Sequence, residues 1–234
     1  MRAILCKEYG PAEMLVIEDV ASPVVKGHGV KVRVKAAGLN FPDTLIIEGK
    51  YQLKPTMPFS PGGEMSGEVI EIGEKVTRFK PGDRVAGLTG YGAFAEEVVV
   101  PEQNILPIPE SMSDEKAAAF SMVYGTSYYA LKQRANIQPG ETLLVLGASG
   151  GVGLATVELG KAMGAHVIAA ASTAEKLAVA KEAGADELIN YTEEPLKDAV
   201  KRLTNSKGVD VIYDPVGGDF TEQALRAMAW NGRH

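Results

Sequence analysis

The chain has 234 residues and a net charge of −6, with 24 Lys and Arg against 30 Asp and Glu, so it offers neither the basic footprint of a nucleic-acid binder nor a polybasic run for a membrane surface. Hydrophobic residues make up 45% and charged residues 23%, ordinary for a globular protein able to bury one large core or two modest ones. The single cysteine, Cys6, excludes an internal disulfide and a multi-cysteine metal site, no stretch approaches the ~20 apolar residues of a membrane span, and Arg2, Lys7 and Glu8 interrupt any signal-peptide apolar region, which together read as a soluble, cytoplasmic protein.

Residues 1 to 110 read as short strands broken by turns. In VKVRVKAAGLN, Val30, Val32 and Val34 alternate with Lys31, Arg33 and Lys35, the period of a half-buried strand. SGEVIEIGEKV repeats the pattern around Val69, Ile70 and Ile72, and KPGDRVAGL places a Pro-Gly turn before another short strand. Most of the 13 prolines lie in this half. Such punctuation suits an irregular β-barrel or sandwich.

Beyond Pro109 the pattern changes. SDEKAAAFSMVYGTSYYALKQRANI is expected as a helical stretch, with Ser113 as N-cap and Asp114 and Glu115 at the positive end of its dipole. From residue 142 strands and helices alternate. TLLVLG is a strand, 151–164 a helix whose Gly160 and Gly164 permit close packing and a stop, HVIAAA a strand, and TAEKLAVAKEAG a helix closed by Gly184. DELIN is a short strand, EPLKDAVKRLTN a helix opened by Pro195, GVDVIYD a strand, and FTEQALRAMAW a helix. Repeated βα units imply a parallel sheet with right-handed crossovers. Asn231-Gly232 punctuates the exit from the last helix, with another strand expected after it. Four strands of an open sheet would leave an edge uncovered. The expectation is therefore a fragment of a longer chain, with a genuinely short protein as the alternative.

Ala148-Ser149-Gly150-Gly151-Val152-Gly153 lies between an expected strand and an expected helix, the context in which an A-x-G-x-x-G sequence reads as a dinucleotide fingerprint. Gly150 lets backbone approach a diphosphate, Gly153 lets the helix press on the strand, and the amides at the helix start attract the phosphates. Ala148 replaces the first glycine, so that turn must differ. About 20 residues on, an NAD site carries an acid at the end of the second strand. Here the strand ends Ala169-Ala170-Ala171-Ser172-Thr173, followed by Lys176. Ser172 and Lys176 either welcome a 2′-phosphate or act as a helix cap and a solvated charge, and both roles are compatible. The missing acid favours NADP(H) over NAD(H).

The stretches GLNFPDTLIIEGKYQ, PGGEMSGEVIEIG, FKPGDRVAG, GAFAEEVVVP, YGTSYYAL, GASGGVG and DPVGG resemble the medium-chain dehydrogenase/reductase superfamily along the whole chain, and most nearly its zinc-free NADPH:quinone oxidoreductase, zeta-crystallin-like branch. The resemblance implies an α/β protein with a GroES-like β-barrel substrate domain at 1–122. It also implies a Rossmann doubly wound parallel sheet binding NADP(H) at 123–234, the C-terminal part of that domain missing here and the active site in a cleft between the two. The implied activity is hydride transfer from NADPH to a quinone or similar electron-poor carbonyl. Neighbouring readings are reduction of an enone or 2-enoyl thioester, or a non-catalytic, crystallin-like NADPH binder. The full-length protein would be a homodimer with a small-molecule substrate and neither nucleic-acid nor membrane partner.

Zinc-dependent relatives place a cysteine where this chain has Asn40, and Gly-His-Glu where it has Gly62-Gly63-Glu64. The AFSMVYGTS stretch holds no cysteine, and the four-cysteine zinc lobe is missing. His28, His166 and His234 are scattered, so no metal site is expected. By resemblance the active-site wall draws on Asn40, Asp43, Tyr51 and Thr126. Asn40 and Thr126 suit hydrogen bonds to a carbonyl oxygen or to the nicotinamide amide, and Tyr51 suits proton donation or the substrate wall. Asp43 serves either that wall or the turn that fixes Asn40. Tyr191 resembles the residue beside the adenosine 2′-phosphate, or else is an exposed aromatic. Val216 and Gly217 follow the fourth strand, where backbone meets ligand. Glu64 is assigned to local structure.

Overall fold

The computed structural model describes residues 1–234 and divides into two compact units, Met1–Met122 and Val123–His234. No helix is long and apolar enough to cross a membrane.

The first unit opens with an antiparallel pair, β1 (Arg2–Leu5) and β2 (Val16–Asp19). It continues through β3 (Gly29–Gly38), α1 (Phe41–Ile47), β4 (Glu64–Ile72), β5 (Arg84–Leu88), β6 (Glu97–Pro101), β7 (Ile105–Pro107) and α2 (Asp114–Ala118). The five main strands form an antiparallel sheet in the order β6-β3-β4-β5-β7. The alternation in β3 survives folding: Val30 and Val32 are fully buried, while Arg33 and Lys35 face solvent. Register shifts interrupt the β3–β4 ladder between Lys31 and Val32 and between Val34 and Ala36, irregularities that add curvature to a sheet. Its core gathers Val30, Val32, Met65, Val69, Phe79, Val85, Val98 and Ile105.

The expected single helix from residue 113 is broken. Ser113 does cap α2, its Oγ accepting from the Lys116 amide. The chain then turns at Ala119 and Phe120 and starts again as α3 (Ser121–Tyr128). The cause is tertiary: the buried Glu64 carboxylate accepts the Met122 amide at 2.8 Å and so supplies the second helix with its own N-terminal acceptor. A π-helical turn over Tyr129–Arg134 follows, with the Ala135 amide reaching the Ala130 carbonyl at 2.8 Å.

The second unit continues with β8 (Thr142–Leu146), α4 (Gly151–Ala162), β9 (His166–Ala171), α5 (Ala174–Glu182), β10 (Glu187–Asn190), α6 (Leu196–Leu203), β11 (Val209–Tyr213), α7 (Asp219–Leu225) and β12 (Met228–Arg233). All pairings are parallel, in the order β10-β9-β8-β11-β12. Leu143, Val145, Val167 and Ala169 point into one core with Val157 and Ala180 from α4 and α5. Leu144, Leu146, Ile168 and Ala170 point into another with Leu196, Val200 and Ala224 from α6 and α7. Both faces are covered, as a Rossmann-like parallel sheet requires. One correction falls at the end of the chain. Helix α7 stops at Leu225, and the residues read as helix and exit turn form a fifth strand. The Ala227 carbonyl accepts from Val209, and β12 joins the ladder beside β11, so partner strand outweighs helical periodicity.

Candidate functional site

The strand order reverses at β8, from which β9 and β10 run one way and β11 and β12 the other. The crevice at the carboxyl ends of β8 and β11 is therefore the place where such a sheet takes a ligand. Both turns there are glycine-rich. After β8, Gly147 rather than Ala148 carries the tight turn: its φ is +57°, while Ala148 is wholly buried. The glycine missing at 148 is thus supplied one residue earlier. A Cβ on Gly153 would lie 2.2 Å from the Gly147 carbonyl oxygen and 3.0 Å from Ala148 Cα. Only glycine allows α4 to start this close to the strand. A Cβ on Gly150 would find nothing nearer than the Gly147 oxygen at 3.4 Å, so that face of the turn is open. The Gly151, Val152 and Gly153 amides begin α4, where backbone donors lack helical acceptors and the dipole is positive. Such a turn suits a diphosphate.

At the end of β9, Lys176 Nζ donates to Ser172 Oγ at 3.1 Å. Ser172 does not cap α5. Thr173 does, through a 3.3 Å bond from the Lys176 amide, because it is Thr173 that holds the extended backbone of an N-cap. Ser172 and Lys176 therefore form a hydroxyl–ammonium pair beside that cap. Tyr191 is half-buried, its ring 4.4 Å from that of Phe220 at 49°, and so is not a bare exposed aromatic.

The turn after β11 is organised by Asp214. Its Oδ1 accepts from Val216 (3.0 Å) and Gly217 (2.8 Å), and its Oδ2 from the Thr221 hydroxyl (2.7 Å). Burial pushes this carboxyl up, but the Gly217 amide, the Thr221 hydroxyl, the Val216 amide and His234 outweigh it and hold it below its ordinary value. The Val216 and Gly217 amides, expected to meet a ligand, are thus already engaged. A ligand here would meet the half-exposed Val216 side chain, whose Cγ2 is 3.0 Å from a Cβ placed on Gly147. The sequence signal for Asp214 is that of an Asx-type turn former ahead of two glycines.

Thr126 is exposed on α3, and its helix is pinned to α4. The neighbouring Ser127, fully buried, donates to the Val152 carbonyl at 2.9 Å. Tyr124 donates a short hydrogen bond to Glu158, which, with burial, pushes the phenol up to about 12. A Cβ on Gly151 would come within 3.0 Å of Val123 Cγ1. Neither Ser127 nor Glu158 had a local signal, since each acts on a carbonyl or phenol in another helix.

In the first unit, Asn40 is the N-cap of α1, with Pro42 in the first turn. Asp43 is 3% exposed, and its Oδ2 accepts the Asn40 amide at 2.8 Å. Burial raises its pKa, against hydrogen bonds from the Asn40, Gly63 and Gly62 amides. Asp43 is therefore spent on the turn. Glu64, with no exposed surface, accepts Asn40 Nδ2 at 3.1 Å and the Met122 amide at 2.8 Å. Burial raises this carboxyl too, opposed by Met122, Asn40 and Ser121 and reinforced by the charge of Asp43. The Tyr51 ring packs against Cys6, Ile46, Ile47 and Phe59. No group of three or more His, Cys, Asp or Glu side chains is placed to hold a metal ion. His28 pairs with Glu102, and His166 lies 3.5 Å from Asp186.

The family description "Alcohol dehydrogenase GroES-like domain" matches residues 26–110, and "Zinc-binding dehydrogenase" matches residues 151–234. The chain is 49% identical to a quinone oxidoreductase-like protein 2 homolog of Nematostella vectensis, over 99% of its own length and 63% of that relative. It is 34% identical to human quinone oxidoreductase over its full length and 71% of that protein. The crystal structure of Escherichia coli quinone oxidoreductase complexed with NADPH superposes with a TM-score of 0.94 at 35% identity, covering 99% of this chain and 71% of that one. The chain thus spans somewhat less than two thirds of the first of these relatives, and with sheet order, glycine turn and sequence in agreement it belongs to the quinone oxidoreductase family of the medium-chain dehydrogenase/reductase superfamily.

Proposed function

We propose that this chain carries the coenzyme site and part of the acceptor site of an NADPH-dependent, zinc-independent oxidoreductase that reduces a quinone or a similar electron-poor carbonyl. The observation that carries the reading is the α4 turn, where Gly153 packs on the Gly147 carbonyl and leaves the Gly150 face open, with the Ser172–Lys176 pair at the next strand end. When bound, NADPH supplies the hydride and the protein supplies orientation and electrostatics.

The amides at Gly150–Gly153 hold the diphosphate. Ser172 and Lys176 receive the 2′-phosphate that an acid at this place would repel, and Tyr191 flanks the adenosine. Ala148 and Ser149 shape the turn; Val216 and Gly217 border the coenzyme through side chain and shape, their amides being engaged by Asp214. Asn40 and Thr126 orient the nicotinamide amide or the acceptor oxygen, Tyr51 donates a hydrogen bond or proton there, and Asp43 fixes the turn that carries Asn40.

Zinc independence is supported by the donor set, since position 40 is Asn, position 63 is Gly, and no three-ligand group exists. A quinone needs no Lewis acid, because hydrogen bonds and a proton suffice at its oxygen. The same reading gives the full-length protein a small-molecule acceptor, a homodimeric state and a cytoplasmic location. The net charge of −6 supports the absence of a nucleic-acid partner.

The test is loss of nicotinamide absorbance when the protein is mixed with NADPH and p-benzoquinone, crotonyl-CoA or a simple enone, with metal analysis of the same sample. Turnover of the quinone by zinc-free protein is expected. Turnover of the thioester or enone alone would reassign the acceptor. NADPH uptake without turnover of any acceptor would favour a binding protein, and stoichiometric zinc would overturn the metal-free mechanism.

A further inference from the structure

Two buried carboxyl groups grip Asn40, and they grip different parts of it. Asp43, three residues away, takes the backbone amide at 2.8 Å, an ordinary helix-capping arrangement. Glu64, from the start of β4, takes the side-chain Nδ2 at 3.1 Å. We propose that Glu64 is a positioning residue that fixes which edge of the Asn40 amide is presented to the reactants. This inference rests on the function proposed above.

Every neighbour that addresses the Glu64 carboxyl is a donor: Nδ2 of Asn40 at Oε2, and the Met122 amide at Oε1 with Ser121 beside it. An ionised carboxylate only accepts, so the Asn40 amide has one permitted orientation, with Nδ2 toward Glu64. The Oδ1 atom faces the Asp43 amide in the capping box of α1, and its remaining lone pair forms, with the second Nδ2 hydrogen, a fixed acceptor-and-donor edge. The surroundings are cut to fit. A Cβ on Gly38 would come within 2.9 Å of Glu64 Oε2 and 2.4 Å of the Ala118 carbonyl, so glycine at the end of β3 makes room for the carboxylate. Burying a charged group is costly, and an apolar side chain would fill the same volume without that cost. The retained cost is explained if the amide must not turn over.

The test uses the 234-residue chain with 15N-labelled asparagine, Asn40 being assigned by its loss in Asn40→Asp. In the wild type one Nδ2 proton is expected downfield and slow to exchange. In Glu64→Gln the single remaining oxygen stays with Met122 and the new NH2 faces Asn40, so the amide turns over and that signal is lost. Coenzyme affinity should stay within about twofold, while quinone kcat falls about tenfold or more through misplacement. The double variant Glu64→Gln/Asn40→Asp restores a donor–acceptor pair with the roles exchanged. It should recover thermal stability, while kcat stays low because the Asn40 amide itself is gone. Unchanged Asn40 signals or unchanged kcat in folded Glu64→Gln would overturn the proposal. Should that variant not fold, a rapidly exchanging Asn40 amide in the wild type would overturn it equally. Wild-type protein without quinone turnover would sink the proposed function, while the amide signals would still judge Glu64.

Discussion

The turn that opens α4 and the ground around Asn40 are built from different materials. The first is backbone: its shape comes from a positive φ at Gly147 and from the space left by a missing Cβ at Gly153, all within seven residues. The second is side chain: Asn40 meets a carboxylate 24 residues on, which in turn meets an amide 58 residues further. Where its packing is closed, as at Gly153, a backbone site tolerates no added atom, but it needs no particular charge. A buried side-chain site tolerates conservative volume but not a lost partner. The lesson is that the two fail by different means, sterically in one case and through an orphaned polar group in the other.

Substitutions separate these modes. The largest effect is expected for Gly153→Val. A Cβ there meets backbone at 2.2 Å, so α4 must move away from β8, at a cost of about 3 kcal/mol. Urea unfolding and coenzyme fluorescence titration should show lower stability together with lost NADPH binding. Gly150→Ala sharpens the contrast. With its nearest neighbour at 3.4 Å it should keep stability within about 0.5 kcal/mol yet weaken NADPH binding. Equal stability losses in the two variants would show that the turn is not held by close packing at Gly153.

Next comes Asp214→Asn, which exchanges an acceptor-only group for one that must present an NH2 among donors. A loss of about 2 kcal/mol is expected, readable as a lower urea midpoint. Because the folded carboxyl is held below its ordinary 3.8, its contribution is present above that value and lost as pH falls through the folded pKa. The wild-type advantage over Asp214→Asn should therefore vanish in acid. A constant advantage would mean that the turn is not held by the ionised form.

Lys176→Glu places an acid where none now stands. About tenfold weaker NADPH binding with unchanged or improved NADH binding is expected, measured as a ratio of dissociation constants. Parallel loss of both coenzymes would remove the Ser172–Lys176 pair from the 2′-phosphate site.

The smallest effect is a slope. Glu64 is raised above its ordinary 4.5 by burial, so between that value and the raised one the native state binds the proton more tightly than the unfolded chain. Stability due to this group falls as pH rises through the window, opposite in sign to Asp214. The Tm difference between wild type and Glu64→Gln should drift against the wild type as pH rises from about 4.5. A drift in the other direction would show that hydrogen bonds from Met122, Asn40 and Ser121 exceed the burial penalty.

The local rules were enough for the period-2 strand at Val30–Val34, the βα rhythm after residue 142, the Ser113 cap and the glycine turn, because each depends on residues within a turn or two of one another. They failed where a distant partner overrode local preference. Glu64 restarts a helix at Met122, and β11 recruits Met228–Arg233 into a strand. By itself the amino-acid order determined the two kinds of architecture and the place of the glycine turn between strand and helix. Only the tertiary structure decided that Asp43 and Glu64 hold Asn40 from two sides, that Asp214 consumes the Val216 and Gly217 amides, and that Ser127 ties Thr126's helix to α4. The physical reason is range: backbone propensity is set by adjacent residues, whereas the satisfaction of a buried polar group depends on whatever the folded chain brings within 3 Å of it.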